Sequence, residues 1–261
     1  MKWPKELILI RHGQSEFNIL TAKKEPDPEY QEFKERYKSE AKNDFQFSER
    51  TVQLALIMQK RYNLSTSDSK TQLTEFGKEQ SEKTGIGLAQ NYELPDVIFV
   101  SPYVRTLQTL EEIVKGWPEL KKVRVIEDER IRERNIGLLE LYNDWRVLNV
   151  LKPVQGRLRQ RQGGFYFQYP QGESIVDVRS RNRQWSQTLT RDWSEKKVLV
   201  VSHHLTILSI RSLYERWDEE KFLWQDENDV PKNCSLTVYR GDPNQGDDGK
   251  LILEEYNKIF Y

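Results

Sequence analysis

The chain has 261 residues, which is enough for one large α/β domain or two small ones. Lysine plus arginine and aspartate plus glutamate both number 41, and this balance argues against a general nucleic-acid or membrane-surface binder. The single cysteine, Cys234, excludes an intramolecular disulfide framework and most cysteine-based zinc sites. The apolar run that follows Met1–Glu6 is too short for a signal peptide or a membrane span, so we expect a cytoplasmic enzyme.

Apolar runs and periodic segments alternate along the chain and predict strands and helices in succession. Strands are expected at Leu7–Ile10, Val97–Val100, Val123–Ile126, Val198–Val201, Leu236–Tyr239 and Leu251–Glu255. Helices are expected from an N-cap at Thr74 to about Tyr92, from Pro102 to about Lys115 with Gly116 as its stop, from Ser174 through Trp193, and after His203-His204. This order predicts an α/β fold with a mainly parallel sheet that ends in a hairpin around residues 241–249.

Residues 19–70 do not follow this alternation, because they are highly charged and contain no strand-like run. Tyr30–Lys42 and Arg50–Tyr62 have the periodicity of helices. We therefore expect one domain over residues 1–261, with residues 19–70 as an inserted helical cap or lid. A mobile charged loop is the alternative for this segment.

All three histidines follow apolar runs, His12 after the first strand and His203-His204 after the fourth. Side chains beyond the carboxyl ends of parallel strands line the crevice where such sheets bind ligands. In Arg11-His12-Gly13, a neutral imidazole can attack a phosphoryl group, an arginine fork can neutralise its oxygens, and glycine lets the backbone come close. An ordinary strand end with a satisfied histidine is the alternative interpretation.

Several motifs in order resemble those of the histidine phosphatase superfamily, the phosphoglycerate-mutase-like proteins, in the branch with a short RHG motif. They are Leu7–Asn18, Leu73-Thr74 with Gly77 and Gln80, Ser101–Thr109, Arg132–Glu140, Pro170–Ser174 followed by Asp177, Val178 and Arg181, Val200–His203, and Asn233–Ser235. The resemblance implies a parallel sheet with helices on both faces and a helical insertion after the first strand.

The resemblance also assigns roles to individual residues. His12 corresponds to the nucleophile, Glu133 to the general acid, and His203 to the second pocket histidine. Arg11 and Arg105 correspond to the phosphate-binding arginines, and Asn18 to an asparagine near the phosphate. Gly13 and His204 complete the expected substrate-binding set, although His204 replaces the glycine that the family usually has there.

Three further features leave alternatives open. Glu140 is the best rival of Glu133 as the acid. The basic run Arg157, Arg159 and Arg161 is either a solvated surface or a site for a second anionic group of the substrate. The aromatic stretch Phe165–Tyr169 belongs either to the core or to a pocket wall.

The function expected from this resemblance is hydrolysis of a phosphomonoester through a phosphohistidine on His12, as in a histidine acid phosphatase. The alternatives are a phosphoglycerate mutase, a fructose-2,6-bisphosphatase-like enzyme and a weakly active phospho-ligand-binding module. A zinc site is disfavoured, since adjacent His203 and His204 would point apart and the arginines would repel a cation. We expect no metal and no cofactor, and a small phosphorylated metabolite as partner rather than nucleic acid or membrane; the oligomeric state stays open.

Overall fold

The computed structural model describes residues 2–261, which form a six-stranded mixed sheet and ten α-helices. The strands are β1 (Glu6–Arg11), β2 (Val97–Val100), β3 (Arg124–Glu127), β4 (Lys197–Ser202), β5 (Leu236–Asp242) and β6 (Lys250–Lys258). Their order across the sheet is β3-β2-β4-β1-β5-β6. Only β5 runs against its neighbours, so the prediction of an α/β fold with a mainly parallel sheet is confirmed.

The periodicity predicted six of the ten helices, with some shifts of their ends, but not the first, sixth, seventh and tenth. They are α1 (Glu16–Lys24), α2 (Pro28–Glu40), α3 (Glu49–Arg61), α4 (Glu75–Asn91), α5 (Val104–Gly116), α6 (Trp145–Leu151), α7 (Pro153–Gln162), α8 (Ile175–Asp192), α9 (His204–Tyr214) and α10 (Glu219–Asn228). Among residues 2–261, no helix combines the length and the apolar composition needed to cross a membrane.

Both faces of the sheet are covered by helices. Successive side chains of a strand point to opposite faces, so neighbouring residues of one strand lie in different core clusters. Leu7 and Leu9 of β1 lie in one core cluster with Trp185 of α8 and Ile207 of α9. The intervening Ile8 and Ile10 lie in a second cluster, with helices α4 and α5. Central strands covered on both sides explain why the sequence shows continuous apolar runs here rather than alternation.

The start of α5 lies two residues later than the sequence predicted. Pro102 precedes the N-cap, Tyr103, whose carbonyl accepts the first helical hydrogen bond from the N–H of Leu107. The hydroxyl of Thr106 donates to the carbonyls of Ser101 and Tyr103, which holds the Ser-Pro turn outside the helix. The predicted stop at Gly116 is the last helical residue.

The chain divides into two compact units. The first contains the sheet and consists of residues 1–15, 69–133 and 177–261. The second is helical and combines residues 16–68 with residues 134–176, so the helical insertion shares its unit with a later part of the chain. Phe33 and Leu54 from the insertion pack in one core with Val147 and Val150 of α6. The sequence predicted neither this partnership nor the helices α1, α6 and α7 of this unit.

Two helices of the first unit approach each other closely at glycines. A Cβ on Gly85 of α4 would lie 2.2 Å from the carbonyl oxygen of Ile113 in α5. A Cβ on Gly116 of α5 would lie 2.2 Å from the carbonyl oxygen of Glu82 in α4. The backbones of the two helices therefore meet directly at this crossing.

We expect Gly85→Ala to destabilise the protein, although alanine is the better helix former by about 1 kcal/mol. The added methyl group overpacks the helix crossing, which costs about 1–3 kcal/mol. Urea unfolding should show a net loss, whereas the control Gln90→Ala, at an exposed position of the same helix, should stay within about 0.5 kcal/mol of the wild type. A raised unfolding midpoint for Gly85→Ala would contradict the close approach.

Candidate active site

The parallel register of β1 and β4 brings two histidines together. Arg11 pairs with Ser202 at the carboxyl ends of the strands, and the N–H of His12 donates to the carbonyl of Ser202 over 3.0 Å. The next residues, His12 and His203, therefore leave the sheet side by side, with ring centroids 5.2 Å apart. Both imidazoles are buried.

The hydrogen bonds of His12 define its tautomer. Its Nδ1 lies 2.7 Å from the carbonyl oxygen of Gly13, a group that can only accept, so Nδ1 carries the proton. Its Nε2 then has the lone pair, and it accepts from the Nε–H of Arg105 over 3.2 Å. The structure thus holds the ring with its nucleophilic nitrogen beside a guanidinium.

Burial and positive charge keep both rings neutral. Burial lowers the pKa of His12 well below 6.5, and the nearby guanidiniums of Arg105 and Arg11 lower it further. Burial likewise lowers the pKa of His203 well below 6.5, with Arg105 as the next cause. At neutral pH, His12 is therefore an unprotonated imidazole, which is the form that can act as a nucleophile.

The two arginines are fixed by neutral oxygen acceptors. The Nη1 group of Arg105 donates to Thr71 Oγ1 over 2.8 Å, and its guanidinium lies 5.0 Å over the ring of Tyr103. The Nη1 group of Arg11 donates to the carbonyl of Pro231 over 2.7 Å. Burial lowers the pKa of Arg11 from its ordinary value, and the charge of Glu133 is the largest influence that opposes this. Arginine still remains cationic at neutral pH.

His203 presents one nitrogen without a protein partner. Its Nε2 lies 2.7 Å from the hydroxyl of Ser101, which also accepts the N–H of Tyr103 over 3.5 Å. In the tautomer in which the Ser101 hydroxyl donates to Nε2, the ring proton lies on Nδ1. Within residues 2–261, that buried Nδ1 has no hydrogen-bond partner. A buried polar group left unpaired in this way is suited to binding a ligand.

Glu133 lies in a loop that is tied to α8 and α9. Its carboxylate accepts the N–H of Leu205 over 3.3 Å, and its carbonyl accepts from Arg181 over 3.1 Å. The hydroxyl of Thr206 donates to the carbonyl of Arg132 over 2.6 Å. Its rival Glu140 belongs to the helical unit, where its carboxylate accepts the N–H of Asp68 over 2.6 Å.

A framework of polar groups fixes the Arg-His-Gly turn. No role was predicted for these residues from the sequence. The side-chain amide of Asn233 donates to the carbonyl of His12 over 2.9 Å, and the N–H of Cys234 donates to the carbonyl of Arg11 over 2.9 Å. The N–H of Gln14 donates to Gln80 Oε1 over 3.0 Å. Gln80 and Asn233 both belong to motifs that resemble those of the superfamily. Their presence in those motifs was the signal from which a role at the site could have been predicted.

The three residues expected to bind substrate have different surroundings. The N–H of Gly13 donates to Thr109 Oγ1 over 3.0 Å, and a Cβ at this glycine would lie 2.5 Å from the carbonyl oxygen of Gly77. His204 is the first residue of α9, and its Nε2 lies 3.0 Å from a carboxylate oxygen of Asp226 in α10. Asn18 is half-buried in α1 of the helical unit.

The basic run and the aromatic stretch both belong to the helical unit. The Nε of Arg157 donates to the carbonyl of Asp44, Arg159 lies 4.5 Å over the ring of Trp145, and Arg161 is exposed. The aromatic stretch alternates between inside and outside, with three buried side chains, Phe165, Phe167 and Tyr169. Among residues 2–261, no group of three or more histidine, cysteine, aspartate or glutamate side chains is placed to hold a metal ion.

Comparison with known proteins agrees with the fold. The model of the histidine phosphatase superfamily, branch 1, matches residues 59–248, so the chain belongs to this superfamily. The phosphoglycerate mutase-like protein AT74 of Arabidopsis thaliana is 28% identical over 267 residues, which cover 96% of this chain and 68% of that protein.

A phosphatase from yeast and a solved structure are also similar. The broad-range acid phosphatase DET1 of Saccharomyces cerevisiae is 28% identical over 122 residues, which cover 44% of this chain and 34% of that protein. A mycobacterial glucosyl-3-phosphoglycerate phosphatase, solved as a complex with VO3, has a TM-score of 0.63 at 18% identity and covers 97% of this chain and 99% of its own. This chain is therefore an enzyme of a superfamily whose members are phosphatases or mutases.

We expect the lowered pKa of His12 to make the stability depend on pH. An unfolded histidine titrates near about 6.5, whereas the folded pKa lies well below that value, so in this window only the unfolded chain binds the proton. Stability therefore falls as the pH drops from about 7.5 to about 5.5, by about 1 kcal/mol for this one group. The variant His12→Asn can keep a donor toward the Gly13 carbonyl but does not titrate.

Urea unfolding of wild type and His12→Asn at both pH values measures this difference. The wild type should lose about 1 kcal/mol more than the variant on acidification. Equal losses in the two proteins would mean that His12 takes up its proton in the folded protein at the same pH as in the unfolded chain, so that its pKa is not lowered.

Proposed function

We propose that this protein is a phosphomonoester hydrolase of the histidine acid phosphatase type, with His12 as the nucleophile and Glu133 as general acid and base. The observation that carries the proposal is the fixed tautomer of His12, whose Nδ1–H donates to Gly13 while Nε2 faces Arg105. A ring held in this way is prepared for attack through Nε2. The acid phosphatase among the similar proteins supports hydrolysis as the reaction.

In the first step, His12 Nε2 attacks phosphorus, so that a P–N bond forms while the P–O bond to the leaving group breaks. Arg11 and Arg105 neutralise the phosphoryl oxygens, and the Nδ1–H of His203 donates to one of them. Phosphoryl transfer needs this positioning and charge neutralisation more than covalent machinery, so no metal ion is required in the proposal. Glu133, in its protonated form, gives its proton to the leaving oxygen.

In the second step, the ionised Glu133 takes a proton from water, and the water oxygen attacks phosphorus. The P–N bond breaks, and its electron pair returns to His12 Nε2, so that inorganic phosphate is released and the neutral imidazole is restored. The first step leaves Glu133 ionised, as the second step needs it, and the second step leaves it protonated again for the next turnover.

A mutase is the alternative, and the surroundings of the acid favour the phosphatase. Mutases of this family have a sequence similar to E-R-H-Y-G around the acid. This chain has E-R-N-I-G from Glu133 to Gly137, with Asn135 in place of the histidine. The side chain of Asn135 accepts the N–H of Gly137 over 2.8 Å and donates to Gln171, so it serves a turn of the helical unit. Assay with 3-phosphoglycerate separates the alternatives, because a phosphatase releases inorganic phosphate and a mutase forms 2-phosphoglycerate.

We expect His12→Asn to lower kcat/KM by at least about a thousandfold, because removal of a nucleophile abolishes the covalent route. Rapid quenching of wild type with a ³²P-labelled phosphomonoester, in the presence of EDTA, should trap an acid-labile, alkali-stable phosphoenzyme that the variant does not form. Unchanged circular dichroism of the variant is the control for folding. Near-normal turnover by His12→Asn would overturn the assignment.

We expect Glu133→Gln to slow the phosphorylation step far more for an alkyl phosphate than for p-nitrophenyl phosphate. An alkoxide leaving group needs a proton, whereas a nitrophenolate does not. Single-turnover rates isolate this step from hydrolysis of the phosphoenzyme. Glu140→Gln is the matched control, because its carboxylate accepts the N–H of Asp68, and it should affect both substrates weakly. A larger leaving-group effect from the control would exclude Glu133 as the acid.

A further inference from the structure

The sheet-containing unit has a cavity of about 560 Å³ that is distinct from the pocket around His12. The cavity is lined by Trp3, which precedes β1, whereas His12 follows the other end of that strand. It is also lined by Tyr214 at the last turn of α9, whereas His204 begins the same helix. Eleven helical residues separate these ends by about 16 Å. The volume lies within the range of small-molecule sites, about 300–1,000 Å³.

Aromatic and aliphatic side chains form the inner surface of this cavity. The rings of Trp3 and Tyr214 meet edge to face with centroids 5.4 Å apart, and Leu213 and Leu251 lie beside them. The hydroxyl of Tyr214 lies 2.9 Å from that of Ser186, which joins this surface to α8. A planar apolar group would find an aromatic contact here.

Helix α8 supplies a polar wall. Arg183, Ser186, Gln187 and Thr190 recur at helical spacing and all line the cavity. The intervening Trp185 lies on the other side of the helix, in the core under the sheet. The wall therefore offers a guanidinium, hydroxyls and an amide to one ligand.

The charges around the cavity favour an anion. Arg183, Arg216 and Lys250 line it, against Asp247 and Asp248, and Lys2 neutralises Asp248 at 2.9 Å. In the part of the chain that the structure describes, neither Arg183 nor Arg216 forms an ion pair or a side-chain hydrogen bond with another protein group. Guanidinium forks match the oxygens of carboxylate, sulfonate and phosphate groups.

We propose that this cavity is a second ligand site, which binds a planar apolar or aromatic molecule that carries one anionic group. The apolar part lies against Trp3 and Tyr214, and the anionic group pairs with Arg183 and Arg216. This site goes beyond the proposed phosphatase activity, since none of these residues belongs to the pocket of His12.

Isothermal titration with 1-naphthalenesulfonate tests the proposal on the full chain. The titration is done with and without saturating inorganic phosphate, which occupies the pocket of His12 under the proposed function. We expect one molecule to bind per chain in the presence of phosphate. Arg183→Ala should weaken this binding about tenfold, because one charge-assisted contact is lost. Arg191→Ala is the matched control, an exposed arginine of the same helix that pairs with Asp192 and does not line the cavity.

A charge change of opposite sign sharpens the test. Asp247→Asn removes an exposed carboxylate from the rim, so the naphthalenesulfonate should bind about two- to threefold more tightly. Binding that is lost on addition of phosphate and is unchanged by Arg183→Ala would place the probe in the pocket of His12 alone and overturn the proposal. Equal affinity of wild type and Arg183→Ala, or equal weakening by Arg191→Ala, would overturn it as well. If the protein did not hydrolyse phosphomonoesters, the proposed function would be wrong, but the effects of Arg183→Ala and Asp247→Asn on binding would still test the cavity.

Discussion

The parallel pairing of β1 with β4 is the constraint on which the site depends. Because Arg11 stands opposite Ser202, the residues that follow the two strands leave the sheet together, and both are histidines. A shift of one position in this pairing would turn the side chains of one strand to the opposite face. The register is held by the two core clusters, since Leu7 and Leu9 must face one layer of helices while Ile8 and Ile10 face the other. Core packing therefore sets the distance between the two imidazoles.

Burial gives this pair its chemical character. An imidazole in water near pH 6.5 is protonated half of the time, but in this site burial and two guanidiniums hold the pKa of each histidine well below that value. The backbone carbonyl of Gly13 then selects one tautomer of His12 without adding a negative charge. The same positive environment that keeps His12 neutral is suited to a phosphoryl dianion, so nucleophile activation and anion binding share one physical cause.

Glycines and amides keep this arrangement rigid. Gly13 lies against the backbone of Gly77, and a Cβ on Gly77 would lie 2.0 Å from the carbonyl oxygen of Gln14. The glycines therefore serve the close packing of the turn against α4, while Asn233 holds the carbonyl of His12 from the other direction. Such a frame restricts the imidazole to one geometry, which is the requirement for positional catalysis. At its other end, α9 contributes Tyr214 to a separate cavity, so one helix borders two sites.

The sequence by itself determined the strands, the helices around the sheet and the residues at the strand ends, because buried parallel strands are continuous apolar runs and their polar ends are local features. Only the tertiary structure placed Glu133 in the sheet-containing unit, where it accepts the N–H of Leu205, and Glu140 in the helical unit, where it accepts the N–H of Asp68. It also decided that the insertion shares a core with residues 134–176, through Val147 and Val150. These outcomes depend on contacts between residues far apart in the chain, and no local pattern of polarity encodes which distant surface a helix will bury.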